Sequence, residues 1–212
     1  MEETPRMGRR GEHLGPLVLL LGGPSGVGKT TIAAALGRRL GWQWLMVDDL
    51  RLALMRSGVA VSDTPEVKPF DAPGSLLAIA EAVAPAIEVV IENHVDQRYP
   101  VVIEGDGILP SLFERESVRV RAVGIHAVFL YEPDEAALLA NLETRGADAW
   151  RADLRAYARR SVAFGEWLGR EAARRGLPTV TARPWDTLID RILAASGLSP
   201  VSGAHGFQQT EA

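Results

Sequence analysis

The chain of 212 residues contains no cysteine. That excludes disulfides, thiolate zinc sites and cysteine nucleophiles together, and it suits a reducing compartment such as the cytoplasm. No apolar run approaches the roughly 20 residues needed to cross a bilayer. The stretch Met1–Gly15 also lacks an apolar core of signal-peptide length, so export is not expected. Strong charge of one sign is missing as well. A net charge of -4 provides no overall basic field for nucleic acid or an anionic membrane, so any phosphate must be held locally. Lysine is nearly absent: Lys29 and Lys68 stand in a chain whose other basic side chains are arginine. The length suits one domain with a substantial core, as a monomer or homodimer.

One of those two lysines lies in the most constrained stretch of the chain. From Gly23 to Thr30 the residues Gly23-Pro24-Ser25-Gly26-Val27-Gly28-Lys29-Thr30 satisfy G-x-x-x-x-G-K-[ST], the phosphate-binding loop, with Thr31 following. The apolar run Leu17–Leu21 reads as a buried parallel strand entering the loop, and Thr31–Leu40 as a helix leaving it. Glycines let the backbone adopt positive φ and approach a polyanion closely. The amide hydrogens and the helix N-terminus then face the phosphates, Lys29 neutralises the β and γ groups, and Thr30 offers a hydroxyl to Mg2+.

Met1–Gly15 and the stretch from Ser196 read as polar tails around a domain at 16–195. Within it, Trp42–Val47 is a short strand delivering Asp48 and Asp49, and Leu50–Arg56 begins a helix. Ser57–Gly74, rich in Pro, Asp, Thr and Ser, is a connection over the site, opening an acceptor-binding segment at about 57–98. Ser75–Val95 has the spacing of an amphipathic helix, with a kink expected at Pro85. Further strands are expected at Pro100–Ile103, Ile125–Tyr131 and Thr179–Ala182, and further helices at Asp134–Arg145 and Trp185–Ala195. Strands alternating with helices imply an α/β fold, a parallel sheet covered on both faces with its site at the strands' carboxyl ends.

Three rims meet there. Asp48 is placed to accept the proton of an acceptor hydroxyl, with Asp49 as its alternate; a helix N-cap accounts for one of the pair. Arg51 is positioned for an anionic group on the acceptor. Glu104 and Asp106 follow a β-branched strand, where a Walker B acid holds Mg2+ beside Thr30; Glu104 also faces the acceptor. Transfer of a phosphoryl group needs positive charge on its outer side, and Arg145, Arg151, Arg155, Arg159 and Arg160 cluster on a lid expected at about 145–160. Arg145 and Arg151 are preferred because Gly146–Ala149 between them resembles a hinge. Arg183, after the last strand, is placed to meet the base of a nucleotide. The histidines and the five tryptophans read as structural.

These residues resemble the small-molecule kinases of the adenylate kinase type, and most closely the 2-phosphoglycerate kinases. In that family the second strand ends in an Asp followed two residues later by an apolar residue and then Arg, matched by Asp48, Leu50 and Arg51, and the third in Glu-Gly, matched by Glu104 and Gly105. Chloramphenicol phosphotransferases and zeta-toxin-like kinases are similar at the same strand ends. The likeness covers about residues 16–195 and implies a three-layer P-loop NTPase sandwich with sheet order 2-3-1-4-5 and a small lid. It further implies ATP and Mg2+ as cofactors and a small hydroxyl-bearing or phosphorylated acid as phosphoryl acceptor. The connection Ser57–Gly74 has no counterpart, and no strongly arginine-dense lid motif of the family is present.

A nucleotide-dependent switch is the competing class. Asp71-Ala72-Pro73-Gly74 matches the D-x-x-G of GTPases, but no apolar strand precedes it and the chain has no N-K-x-D guanine reader. Nucleic-acid processing is disfavoured by charge.

Overall fold

A computed structural model describes residues 17–59, 73–144 and 153–198. Its strands are β1 (Val18–Gly22), β2 (Gln43–Met46), β3 (Val101–Gly105), β4 (Ile125–Tyr131) and β5 (Thr179–Thr181). The helices are α1 (Lys29–Leu40), α2 (Val47–Arg56), α3 (Pro73–Gln97), the single turn α4 (Glu116–Arg119), α5 (Glu135–Thr144), α6 (Leu154–Arg174) and α7 (Leu188–Ser196). The five strands are parallel and ordered β2-β3-β1-β4-β5, the order implied by the resemblance.

β1 takes the centre because its side chains suit both faces of a sheet: all of its residues are buried. Alternation divides them between two cores. Leu20 joins Ile103 and Phe129 under Ile87 and Ile91 of α3 and Leu168 and Ala172 of α6. Leu19 and Leu21 join Val102, Val128 and Leu130 under Ile32 and Leu36 of α1, Leu138 of α5 and Ile192 of α7. In register, Gly22 lies beside Gly105 and Phe129, so β1 and β3 end level, β4 runs two residues further, and their following loops share one rim. That rim carries the site.

Two differences from the sequence reading matter. β2 stops at Met46, and Val47 already begins α2, so Asp48 and Asp49 lie in a helical first turn. Neither caps that helix: the N-cap position is Met46 and has no side-chain hydrogen bond. The second difference is α6, 21 residues where the sequence reading placed a lid and a following segment. Asp153 caps it by accepting from Ala156 N at 2.9 Å, and Tyr157, Ala158, Leu168 and Ala172 are buried along it. The expected lid residues from Leu154 to Arg160 therefore belong to a helix anchored in the core. Residues 145–152 lie outside the described residues, as does most of the Ser57–Gly74 connection.

Candidate active site

The phosphate loop sits where the sheet's central strand becomes α1. Gly28 stands at φ 81°, and a Cβ there would come within 2.2 Å of the Trp185 ring. Both the left-handed backbone and the indole packed against it require glycine. The loop is braced from the other side by Asn141 of α5, whose Nδ2 donates to Gly26 O at 3.1 Å. Val27 is fully buried in the core, so toward a ligand only its main chain is available. Pro24 has no N–H to offer; its carbonyl instead accepts a 2.9 Å hydrogen bond from Lys29 Nζ, which holds the ammonium over the loop. Gly23 is buried at the loop's entry, Ser25 is half-buried on its outer side, and Thr31 is exposed in the first turn of α1.

Below the loop, Thr30 Oγ1 donates to Glu104 Oε1 at 2.8 Å. Glu104 is buried, and burial pushes its carboxyl above the ordinary range; the Lys29 charge and the Thr30 hydrogen bond pull it back, while Asp106 and Asp48 push it further up. Asp106, half-buried two residues on, is raised by the same desolvation and by Asp48, and lowered by Lys29 and Arg51. Three carboxylates thus share one small region with the Lys29 ammonium. A cation placed among them would relieve their repulsion.

The donors test well against Mg2+. A hydroxyl oxygen and two carboxylates are hard oxygen ligands. Among the described residues no cluster of three or more acidic or histidine side chains forms a cage for a metal. Mg2+ completes its shell with phosphate oxygens and water.

The remaining predicted residues fall at differing distances from this centre. Asp48 is exposed and pairs with Arg51 Nε at 3.2 Å, so the expected base and the expected anion-binding arginine hold each other. Asp49 is exposed beside it. Arg183 lies at the far side of the loop, with Nε 3.3 Å from Glu132 Oε2. Its own turn is pinned by Arg191, which donates to Thr181 O at 2.7 Å and Pro184 O at 2.8 Å. Arg145 and Arg151 lie outside the described residues.

Beyond the loop's outer edge opens a cavity of about 290 Å3 between α3 and α6, and Pro24, Ser25 and Asp106 line its inner end. α6 approaches the loop closely because of Gly165, where a Cβ would meet Tyr131 Cβ at 3.2 Å and Pro24 Cγ at 3.4 Å. Among the described residues of the arginine cluster, Arg160 lines this cavity, with its guanidinium carbon 5.9 Å from the Tyr157 ring centroid. Sequence reasoning missed Asn141, Gly165 and Trp185 as partners of the loop. Nothing near them in the chain points to it; only the folded sheet brings them there.

A family model described as AAA domain matches residues 18–161, the span from β1 into α6. The chain belongs to this family. Among curated proteins it is similar to a 2-phosphoglycerate kinase of Methanothermobacter thermautotrophicus, 25% identical over 92% of this chain and 71% of that protein. A 2-phosphoglycerate kinase of Pyrococcus furiosus is 31% identical over 47% of this chain, an alignment that spans 38% of its own length. Among solved structures, a sugar kinase from Janibacter sp. HTCC2649 superposes with a TM-score of 0.57 at 18% identity, over 90% of this chain and 99% of that one. At that identity the match speaks for the fold, a P-loop α/β sandwich. Among the described residues no helix is long and apolar enough to cross a membrane.

Proposed function

We propose that this protein is an ATP- and Mg2+-dependent phosphotransferase that moves the γ-phosphoryl group of ATP to a hydroxyl of a small molecule. The observation that carries the reading is the continuity of the two halves: the loop that would hold the phosphates supplies Pro24 and Ser25 to the cavity beyond it. A nucleotide switch needs the loop and not the cavity.

In this reading the loop amides and Lys29 grip the phosphates, and Thr30, Glu104 and Asp106 hold Mg2+, which when bound offsets charge on the phosphate oxygens. The acceptor oxygen bonds to the γ-phosphorus as the bond to the β–γ bridging oxygen breaks, giving a phosphate ester and ADP. The hydroxyl proton passes to a carboxylate, for which Asp48 is the choice: it is exposed to an incoming molecule, and Arg51 beside it holds it at 3.2 Å. Asp106 is the second choice, because it lines the cavity itself. Arg160 shares that cavity and is placed to face charge developing on the transferred group. Arg145 and Arg151, in the chain just before α6, remain proposed for the same task, and Arg183 for the nucleotide base. The names of the curated relatives make 2-phosphoglycerate the first acceptor to try.

The test is ADP formation from Mg-ATP across a panel of hydroxylated small molecules, including 2-phosphoglycerate. Acceptor-dependent ADP release, with a phosphorylated product seen by mass spectrometry, is expected. Tight ATP binding with no acceptor dependence across the panel would leave a binding protein instead.

A further inference from the structure

We propose that Glu132 is a positioning residue for the nucleotide: its buried carboxylate holds the guanidinium of Arg183 in place for the base. This rests on the reading above that the loop takes a nucleotide and that Arg183 meets its base. β4 and β5 pair as far as Tyr131 and Thr181, so Glu132 and Arg183 leave the sheet from neighbouring strands at the site's rim. Glu132 Oε2 lies 3.3 Å from Arg183 Nε, and the two side chains differ in exposure, 3% against 44%. The carboxylate is enclosed, while the arginine keeps an open face. A buried carboxylate is costly unless it is paired. Glu132 Oε1 accepts from Asp134 N at 3.1 Å, just before α5, but Oε2 accepts no hydrogen bond among the described residues. The Arg183 charge offsets it.

The backbone of the turn after β5 is held without Glu132. Arg191 donates to Thr181 O and to Pro184 O, and Thr181 Oγ1 donates to Arg183 O at 3.0 Å. With the main chain of residues 181–184 fixed in this way, what is left to set is the direction of the Arg183 side chain, and Glu132 sets it. That direction matters because of where the turn lies. Pro24 and Ser25, at one end of the phosphate loop, line the cavity, whereas Gly28, at the other end, packs under Trp185, two residues after Arg183. A nucleotide whose γ-phosphate faces the cavity extends its base away from it, toward this turn. A planar guanidinium beside the base offers a stacking face and a charge, and one already held in place loses less freedom on binding than a free one.

Calorimetric titration of the full chain with Mg2+ present compares ATP with inorganic tripolyphosphate, which fills the loop but has no base. The parent chain should bind ATP at least about tenfold more tightly. Glu132→Gln keeps the size of the side chain and an oxygen for Asp134 N but removes the ion pair. It should weaken ATP about fivefold and leave tripolyphosphate within about twofold, whereas damage to the loop or the fold would lower both. Arg183→Lys, on the exposed side of the pair, keeps the charge and loses the plane, and should give the same pattern in a protein that does not disturb the buried carboxylate. The two changes together should weaken ATP by no more than about twofold beyond either alone. Equal binding of ATP and tripolyphosphate by the parent chain, an equal loss of both in Glu132→Gln, or unchanged ATP binding in either variant would overturn the proposal. Binding of neither ligand would overturn the nucleotide reading with it. If the pattern appears but no acceptor is phosphorylated, Glu132 keeps its role and the phosphotransferase reading alone fails.

Discussion

The two halves of the site are built in opposite ways. The donor half is one continuous stretch, Gly23–Thr30, folded on itself and locked by Lys29 to Pro24 at 2.9 Å and Thr30 to Glu104 at 2.8 Å. The acceptor half is gathered from α3, α6 and the end of β3. A polyanion is met by main-chain amides, which one short loop can supply. A particular small molecule is met by side chains, which must come from wherever the fold can bring them. The donor half is thus a fixed device and the acceptor half an adjustable one, and damage to each should differ in kind.

The largest effect is expected on the donor side. Lys29→Ala removes the one ammonium of the loop and should lower kcat/KM by about a thousandfold for every acceptor alike. A loss confined to one acceptor would break the comparison. Next, Asp48→Asn should keep ATP affinity and cut kcat by at least about a hundredfold. Near-normal turnover there, with Asp106→Asn losing turnover while its Mg2+-dependent ATP binding is kept, would move the proton acceptor from α2 to the cavity wall.

Smaller effects follow from packing. Gly28→Ala sets a Cβ 2.2 Å from the Trp185 ring on a left-handed backbone. Thermal and urea unfolding should show a loss of about 1–3 kcal/mol, and unchanged stability would mean that the loop is not locked by the indole. Smallest of all, Arg51→Ala breaks an exposed pair three residues apart on α2, so unfolding should change by no more than about 0.5 kcal/mol. A larger change would show the pair to be structural.

The same contrast explains what could be read from the chain. The P-loop was legible because its chemistry is local, and the sheet because apolar runs such as Val18–Leu21 and Ala127–Leu130 declare buried parallel strands. Asp48 and Asp49 were found, but their place in a helical turn was not, because Val47 reads equally as strand or helix. α6 went unread although Leu154, Tyr157, Ala158, Ser161, Gly165 and Leu168 repeat at helical spacing. Its many arginines drew the reading toward a charged lid and away from that stripe. The contact of Trp185 with Gly28 joins positions more than 150 residues apart, and no single-sequence pattern encodes it.

Everything above depends on Lys29, Thr30 and Glu104 forming a seat for a magnesium nucleotide. Calorimetric titration of ATP into the protein and into Glu104→Gln, each with and without Mg2+, tests it most directly. Mg2+ should tighten binding at least tenfold in the parent chain, and Glu104→Gln should abolish most of that gain while still binding ATP. Binding of equal strength with and without Mg2+ in both proteins, or no binding at all, would contradict it.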